Sequence, residues 1–313
     1  MSAVAETGGR APARKTPAVT DRTKAERKLG WMLCAPAVIV MLAVTAYPVL
    51  YAVYLSLLRA DLRFPHDNTW VGLDNYGRVL GSSLWWSDVW HTLLIAVCSV
   101  IIELILGMAL AIVMHRALFG RGLIRTSALI PYGIVTVVAA FAWRFAWAKS
   151  VGGFVPKALG MSFDPLDPTH PFWNYVVVIL TEVWKTTPFM ALLLLAGLTL
   201  VPEELHEAAR VDGASPWQRF WRITVPLMKP AILVALLFRT LDAFRIFDSA
   251  FIISNGNNPN IETVSILNAN TLLTRLNLGL GSAISVLIFA IVVAIAVVFV
   301  KGFGTATPGA ASN

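Results

Sequence analysis

Charge is scarce in this 313-residue sequence. Asp, Glu, Lys and Arg make up 14% of it against 57% hydrophobic residues, and mean hydropathy is +0.69. Water-soluble domains carry about 25% charged residues, so this chain is too apolar to be one. Cysteine is nearly absent. Cys34 and Cys98 sit alone in apolar runs, without a CxxC or a Cys/His cluster, and are expected to be buried small hydrophobes. There is no GxxxxGK[ST], so ATP hydrolysis would have to come from another chain. His206–Glu207–Ala208–Ala209–Arg210 stops one residue short of HExxH, with Arg210 in the second histidine's place. The five histidines (His66, His91, His115, His170 and His206) are scattered. No metal site, catalytic triad or cofactor site is visible. No basic run is interleaved with aromatics, so nucleic acid is not an expected partner. The apolar runs do not alternate, which argues against a transmembrane barrel.

What the chain does have is long apolar segments. Residues 1–29, rich in Ala, Pro, Thr and charge, read as a disordered tail. Trp31–Leu58 has no charged residue and is much longer than the apolar core of a signal peptide, so it reads as a retained span. Thr92–Met114, Thr126–Ala148, Phe172–Val201, Pro230–Ser254 and Leu280–Val300 are also long enough to cross a bilayer as helices. The expectation is an all-α polytopic protein with six transmembrane helices over residues 30–302 and a short tail at 303–313. Residues 59–91 read as a polar connection with Trp85 and Trp86 at the membrane edge. Gly152, Gly153, Pro156, Pro165 and Pro168 mark residues 149–171 as loop, and Asn255–Gly256–Asn257–Asn258–Pro259 marks a turn in 255–279. Fifteen of the 25 Lys and Arg residues fall on one side, six on the other and four inside spans. The positive-inside rule then puts both termini in the cytoplasm of a multi-pass plasma-membrane protein.

The segment 202–226 between the fourth and fifth spans reads as two short helices joined by a tight turn. Pro202 suits a first helical position, and Glu203 and Glu204 suit the first turn. Leu205, Ala208, Ala209 and Val211 can form an apolar side. Asp212–Gly213 ends the helix, Gly213 being suited to a left-handed cap. Ser215–Pro216–Trp217–Gln218 has capping-box spacing. Trp217, Phe220 and Trp221 share one face. That face either lies on the membrane or span ends, or docks a partner.

Glu207, Ala208, Ala209, Asp212, Gly213, Ala214, Phe220, Ile223 and Pro226 stand where the EAA motif of bacterial ABC importer permeases places them, and the chain resembles that family over residues 30–302. Val71–Gly72–Leu73–Asp74–Asn75–Tyr76, Pro131 and Leu195–Ala196–Gly197–Leu198 are similar to its sugar and polyol branch. The resemblance implies the type I ABC importer permease fold of the maltose- and methionine-permease kind. It also implies a non-catalytic subunit that carries a sugar, such as the disaccharide trehalose. Glu207, Ala208, Ala209, Asp212, Gly213, Ala214, Trp217 and Phe220 would couple to the ATPase. The implied partners are a second permease, a cytoplasmic ATPase dimer that holds the ATP and magnesium, an extracytoplasmic sugar-binding (lipo)protein and membrane lipids.

Eight charged residues fall inside expected spans: Glu103, Arg144, Glu182, Lys185, Arg239, Asp242, Arg245 and Asp248. Each would cost about 2.5–3.5 kcal/mol at a helix centre, so they should face a cavity or one another. Glu182 and Lys185 can pair on one helix. The series from Arg239 to Asp248, spaced by three, would sweep about half the circumference of a helix. These charges suit either a polar passage or structural salt bridges. By position relative to the EAA loop, the resemblance points to Glu182, Lys185, Thr186, Phe189, Arg239, Asp242 and Ile246 as substrate contacts. The competing reading is an ion-coupled carrier using Glu103, Glu182, Asp242 or Asp248.

Overall fold

The computed structural model describes residues 21–64, 68–116, 121–256 and 258–303. The chain divides into two units, residues 1–51 and 52–313. The described part of the first is helical and belongs to α1 (Asp21–Ser56). No residue in its most apolar window is buried. A helix that is apolar all round and unburied is suited to lipid.

The described part of the second unit is built of helices and loops, with a two-residue antiparallel pair, β1 (Leu58–Arg59) with β2 (Thr69–Trp70), and an isolated bridge between Asp61 and Asn277. Then come α2 (Asp74–Leu80), α3 (Ser83–Arg116), α4 (Arg121–Gly133), α5 (Thr136–Trp147), α6 (Phe154–Ala158) and α7 (Pro171–Leu198). They are followed by α8 (Glu203–Val211), α9 (Pro216–Arg219), α10 (Val225–Ala243), α11 (Asp248–Ile253), α12 (Val264–Ala269) and α13 (Leu278–Phe303). Among the described residues, five helices are long and apolar enough to span a bilayer, and the bent pair α4–α5 makes a sixth if it is counted as one span.

The core is built around α3 and α7. Lipid provides no hydrophobic drive between helices, so close packing at small residues does that work. A Cβ on Gly107 of α3 would lie 2.8 Å from Met190 Cγ of α7. Around it Val100, Ala111 and Met114 pack with Ala191 and Leu194. On α7, a Cβ at Gly197 would lie 2.5 Å from Ala231 Cβ of α10. At the end away from the 202–226 loop, Asn174 ties two connections together. Its amide donates to the carbonyls of Pro165 (2.8 Å) and Asp167 (3.0 Å), and its Oδ1 accepts from Asn258 (2.8 Å).

The structure departs from the sequence expectations at several elements. Helix α1 starts at Asp21, inside the expected tail, while residues 1–20 and 304–313 lie outside the described residues. The third span is broken: α4 and α5 meet at 87°, where Pro131 and Gly133 end α4 and Val135 is extended (φ −56°, ψ 130°). The fifth span is not Pro230–Ser254 but Pro216–Ala243. Its N-terminus is capped at Ser215. The helix ends because Phe244 and Ile246 turn into two separate core clusters. Residues 255–279 are more than a turn. Asn255 and Gly256 do take left-handed φ values of +56° and +72°. Beyond them, however, Ile261, Val264, Ile266 and Leu267 are buried in the core. Residues 149–171 include the short α6 and a 3-10 turn at Lys149–Val151. Cys34 is exposed and Cys98 partly so, because they lie on spans whose apolar faces turn outward. Trp85 is buried, whereas Trp86 is exposed, its indole donating to the Leu80 carbonyl at 2.8 Å.

Gly197→Val should lower unfolding stability by about 1–3 kcal/mol by forcing α7 off α10. Gly30→Ala, with open space around it, should be near neutral. Thermal unfolding of both in detergent checks this, and equal behaviour would remove Gly197 as the α7–α10 contact.

Candidate functional site

Two carboxylates buried in the bundle, Glu103 and Glu182, converge on Arg239 of α10, which is 1% exposed. Its Nε and Nη2 grip both oxygens of Glu103 on α3, at 2.5 and 2.9 Å. Nη2 also reaches Glu182 Oε2 on α7 at 3.1 Å, and Nη1 reaches Asp242 Oδ2 at 2.8 Å. Glu103 accepts from the Thr186 hydroxyl at 2.7 Å, and Glu182 accepts from the Ser249 hydroxyl of α11 at 2.5 Å. One planar guanidinium therefore joins carboxylates from three helices, a geometry that lysine could not provide. Glu182 does not form the expected intrahelical pair with Lys185. Lys185 Nζ instead lies 5.7 Å from the ring centroid of Tyr132.

Beside this cluster lies a cavity of about 390 Å³, within the range of small-molecule sites. On α7, Glu182, Lys185 and Thr186 line it, set by the i, i+3, i+4 spacing. Tyr132 and Thr136 enter from either side of the α4–α5 bend, and Asp242, Ile246, Phe247, Asp248 and Ser249 from the break after α10. Of the residues expected from the sequence, Glu182, Lys185, Thr186, Asp242 and Ile246 line the cavity. Arg239 stands behind its wall, and Phe189 stacks on Tyr132 with centroids 5.3 Å apart. The Arg239–Asp248 series does not sweep one helix, because α10 ends at Ala243 and leaves Arg245 and Asp248 beyond it.

Sequence reasoning missed Glu103 as the anchor, and Tyr132 and Thr136 as lining. The Pro131/Gly133 punctuation could have pointed to the second pair. Chemically, the cavity offers carboxylate acceptors, one ammonium donor and aromatic faces, a set that suits hydroxyl groups on an apolar ring frame.

The second region is the 202–226 loop. Pro202 is the N-cap rather than the first helical residue, with α8 starting at Glu203. Gly213 has φ +80° with no atom within 4 Å of an added Cβ, so backbone conformation, not space, favours glycine there. The Gly213 amide bonds to the Arg210 carbonyl (3.1 Å) and that of Ala214 to the Ala209 carbonyl (2.9 Å), a Schellman closure. Ser215 and Gln218 form the reciprocal capping box. The second loop helix does not stop. It passes through a π turn at Phe220–Thr224 into α10. Pro226 has no N–H to continue the ladder, and a widened turn relieves the ring's clash with the preceding carbonyl. Trp217, Phe220 and Trp221 form one aromatic cluster with centroids 5.2–6.4 Å apart. Trp217 is 70% exposed, and Glu207, Ala208, Asp212 and Gly213 are exposed as well.

Over residues 103–306 the sequence matches the family described as binding-protein-dependent transport system inner membrane component, and the chain belongs to that family. It is therefore a multi-pass membrane permease of the ABC importer class, and the ion-coupled alternative finds no support. It is 53% identical over 299 residues to the trehalose transport system permease protein SugA of Mycobacterium tuberculosis, covering 95% of this chain and 96% of that one. It is 38% identical to the trehalose/maltose transport system permease protein MalF of Thermococcus litoralis, covering 88% and 94%. A crystal structure of a bacterial ABC transporter involved in alginate import shares the fold, with a TM-score of 0.75 at 21% identity over 92% of this chain and 100% of that one.

Arg239→Gln, which leaves two buried carboxylates unpaired, should cost about 3–5 kcal/mol of stability. Asp242→Asn, whose side chain is 71% exposed, should cost little. Thermal unfolding of the purified chain reads both, and a mild Arg239→Gln effect would show that the cluster does not hold the helices.

Proposed function

We propose that this chain is one permease half of a sugar importer, with a disaccharide such as trehalose as cargo. The observation that carries this reading is the carboxylate- and aromatic-lined cavity at the α4–α5 bend and the α10–α11 break. Glu182, Asp242 and Asp248 would accept hydrogen bonds from sugar hydroxyls and Lys185 would donate. Tyr132 and Phe247 would meet the apolar faces of the pyranose rings. Arg239 would act from behind, fixing Glu182 and Asp242 rather than touching sugar. The two trehalose-linked relatives support the same cargo.

The reaction is vectorial. In this reading a second permease completes the passage, an external binding protein delivers the sugar at the end away from the 202–226 loop, and both termini are cytoplasmic. An ATPase dimer, with its ATP and magnesium, seats against Glu207, Ala208, Ala209, Asp212, Gly213, Ala214, Trp217 and Phe220. The Schellman closure and capping box make the hairpin stiff enough to transmit a push.

Uptake of labelled trehalose by cells expressing the complete transporter tests this. Uptake should stop on ATP depletion and survive an uncoupler used with ATP maintained. The opposite pattern would restore the ion-coupled reading. Asp242→Asn should weaken uptake at least tenfold without loss of protein from the membrane. Gly213→Val and Glu207→Lys should abolish uptake while insertion is unchanged; normal transport in either would remove the hairpin from the coupling path.

A further inference from the structure

The hairpin has an inner side of which the importer reading uses only Phe220. Glu203, His206 and Arg210 recur at i, i+3 and i+7 of α8, so they share one face. That face closes over a cavity of about 300 Å³, together with His115 and Arg116 at the end of α3 and Arg219 of α9. Ile112, Leu198 and Val201 add apolar wall. Leu205 and Val211, by contrast, are exposed and do not line it.

Three guanidiniums therefore face one space with a single carboxylate. Among the described residues, neither Arg116 nor Arg210 forms an ion pair. Arg219 gives one N–H to the His206 carbonyl at a long 3.5 Å. Three cations sharing a pocket with one carboxylate leave positive charge unbalanced, and the arginine fork matches the oxygens of phosphate. A basic pocket among span ends, with apolar wall beside it, fits the headgroup and glycerol root of an anionic phospholipid.

We propose that this cavity binds a phosphate group, supplied by an anionic phospholipid of the leaflet that meets the hairpin. The bound phosphate bridges α8 and α9 to the end of α3, bracing the hairpin from inside while its outer face stays free. The leaflet assignment rests on the orientation proposed above. The binding readout needs neither uptake nor ATPase, so the two readings fail separately.

The test is native mass spectrometry of the full-length chain in neutral detergent. It is titrated with phosphatidylglycerol or phosphatidylcholine, with and without inorganic phosphate. The wild type should retain phosphatidylglycerol in preference to phosphatidylcholine. That preference should fall roughly fivefold for each arginine removed in Arg116→Gln and Arg210→Gln. Arg222→Gln, an exposed arginine outside the cavity, should leave it unchanged. Should the variant carrying both Arg116→Gln and Arg210→Gln fail to fold, the single Arg116→Gln change at the exposed end of α3 carries the test. Retention of inorganic phosphate by the wild type, lost in Arg116→Gln, without lipid preference would keep the phosphate site but make its source soluble. Equal retention of both lipids with no phosphate bound, or an equal loss in Arg222→Gln, overturns the proposal.

Discussion

A guanidinium in an apolar bundle must be neutralised or the bundle will not hold it. Here Arg239 is gripped on both its Nε and Nη2 edge by Glu103 and joined by Glu182 and Asp242. The desolvation of these groups is severe, and the attraction offsets it only because the geometry is bidentate and Thr186 and Ser249 each add a hydroxyl donor to a carboxylate. Much of the interior arrangement follows. Glu103 sets how α3 meets α10. Glu182 is held with one oxygen on Arg239 and the other on Ser249. For Ser249 to reach it, the chain must leave helix after Ala243 and restart at Asp248. The same break opens the wall of the cavity, so the packing lock and the candidate passage are two sides of one feature.

The hairpin and this lock lie on one rod. Because α9 runs through the π turn into α10, Trp217 and Arg239 stand 22 residues apart on a single helix, roughly 30 Å at 1.5 Å per residue. In the importer reading, a displacement of the aromatic cluster would reach the Arg239 cluster without crossing a loop. The π turn with Pro226 is the compliant point of that rod, and the capped hairpin is its stiff end. A continuous helix thus gives the proposed coupling a physical route, and the ion cluster gives it a discrete joint to act on.

Local chemistry was readable where it is governed by neighbours in sequence. Gly213 is left-handed because the helix must reverse there, and Ser215–Gln218 closes its box because both partners sit within four residues. Glu182, Lys185 and Thr186 share a face by helical spacing alone. Reading failed where distant residues decide. Glu182 and Lys185 have pairing distance, yet Glu182 goes to an arginine 57 residues on. The DAFRIFD stretch contains no glycine or proline, so nothing local announces the break that burial of Phe244 and Ile246 imposes. Val264, Ile266 and Leu267 belong to a stretch that reads as a connection, and burial makes them core.

By itself the sequence determined that the chain is helical and membrane-embedded, that it carries several buried charges, and that a capped hairpin lies between its fourth and fifth spans. Composition, run length and turn chemistry act over a few residues, and bilayer thickness sets the rest. Only the tertiary structure decided which charges meet, where the third span bends, where the fifth span starts and stops, and which side chains share a cavity. Those outcomes depend on close approach between residues far apart in sequence, Glu103 and Arg239 being 136 positions apart. Such approach is set by small residues and ion geometry across helices, which no window along the chain contains.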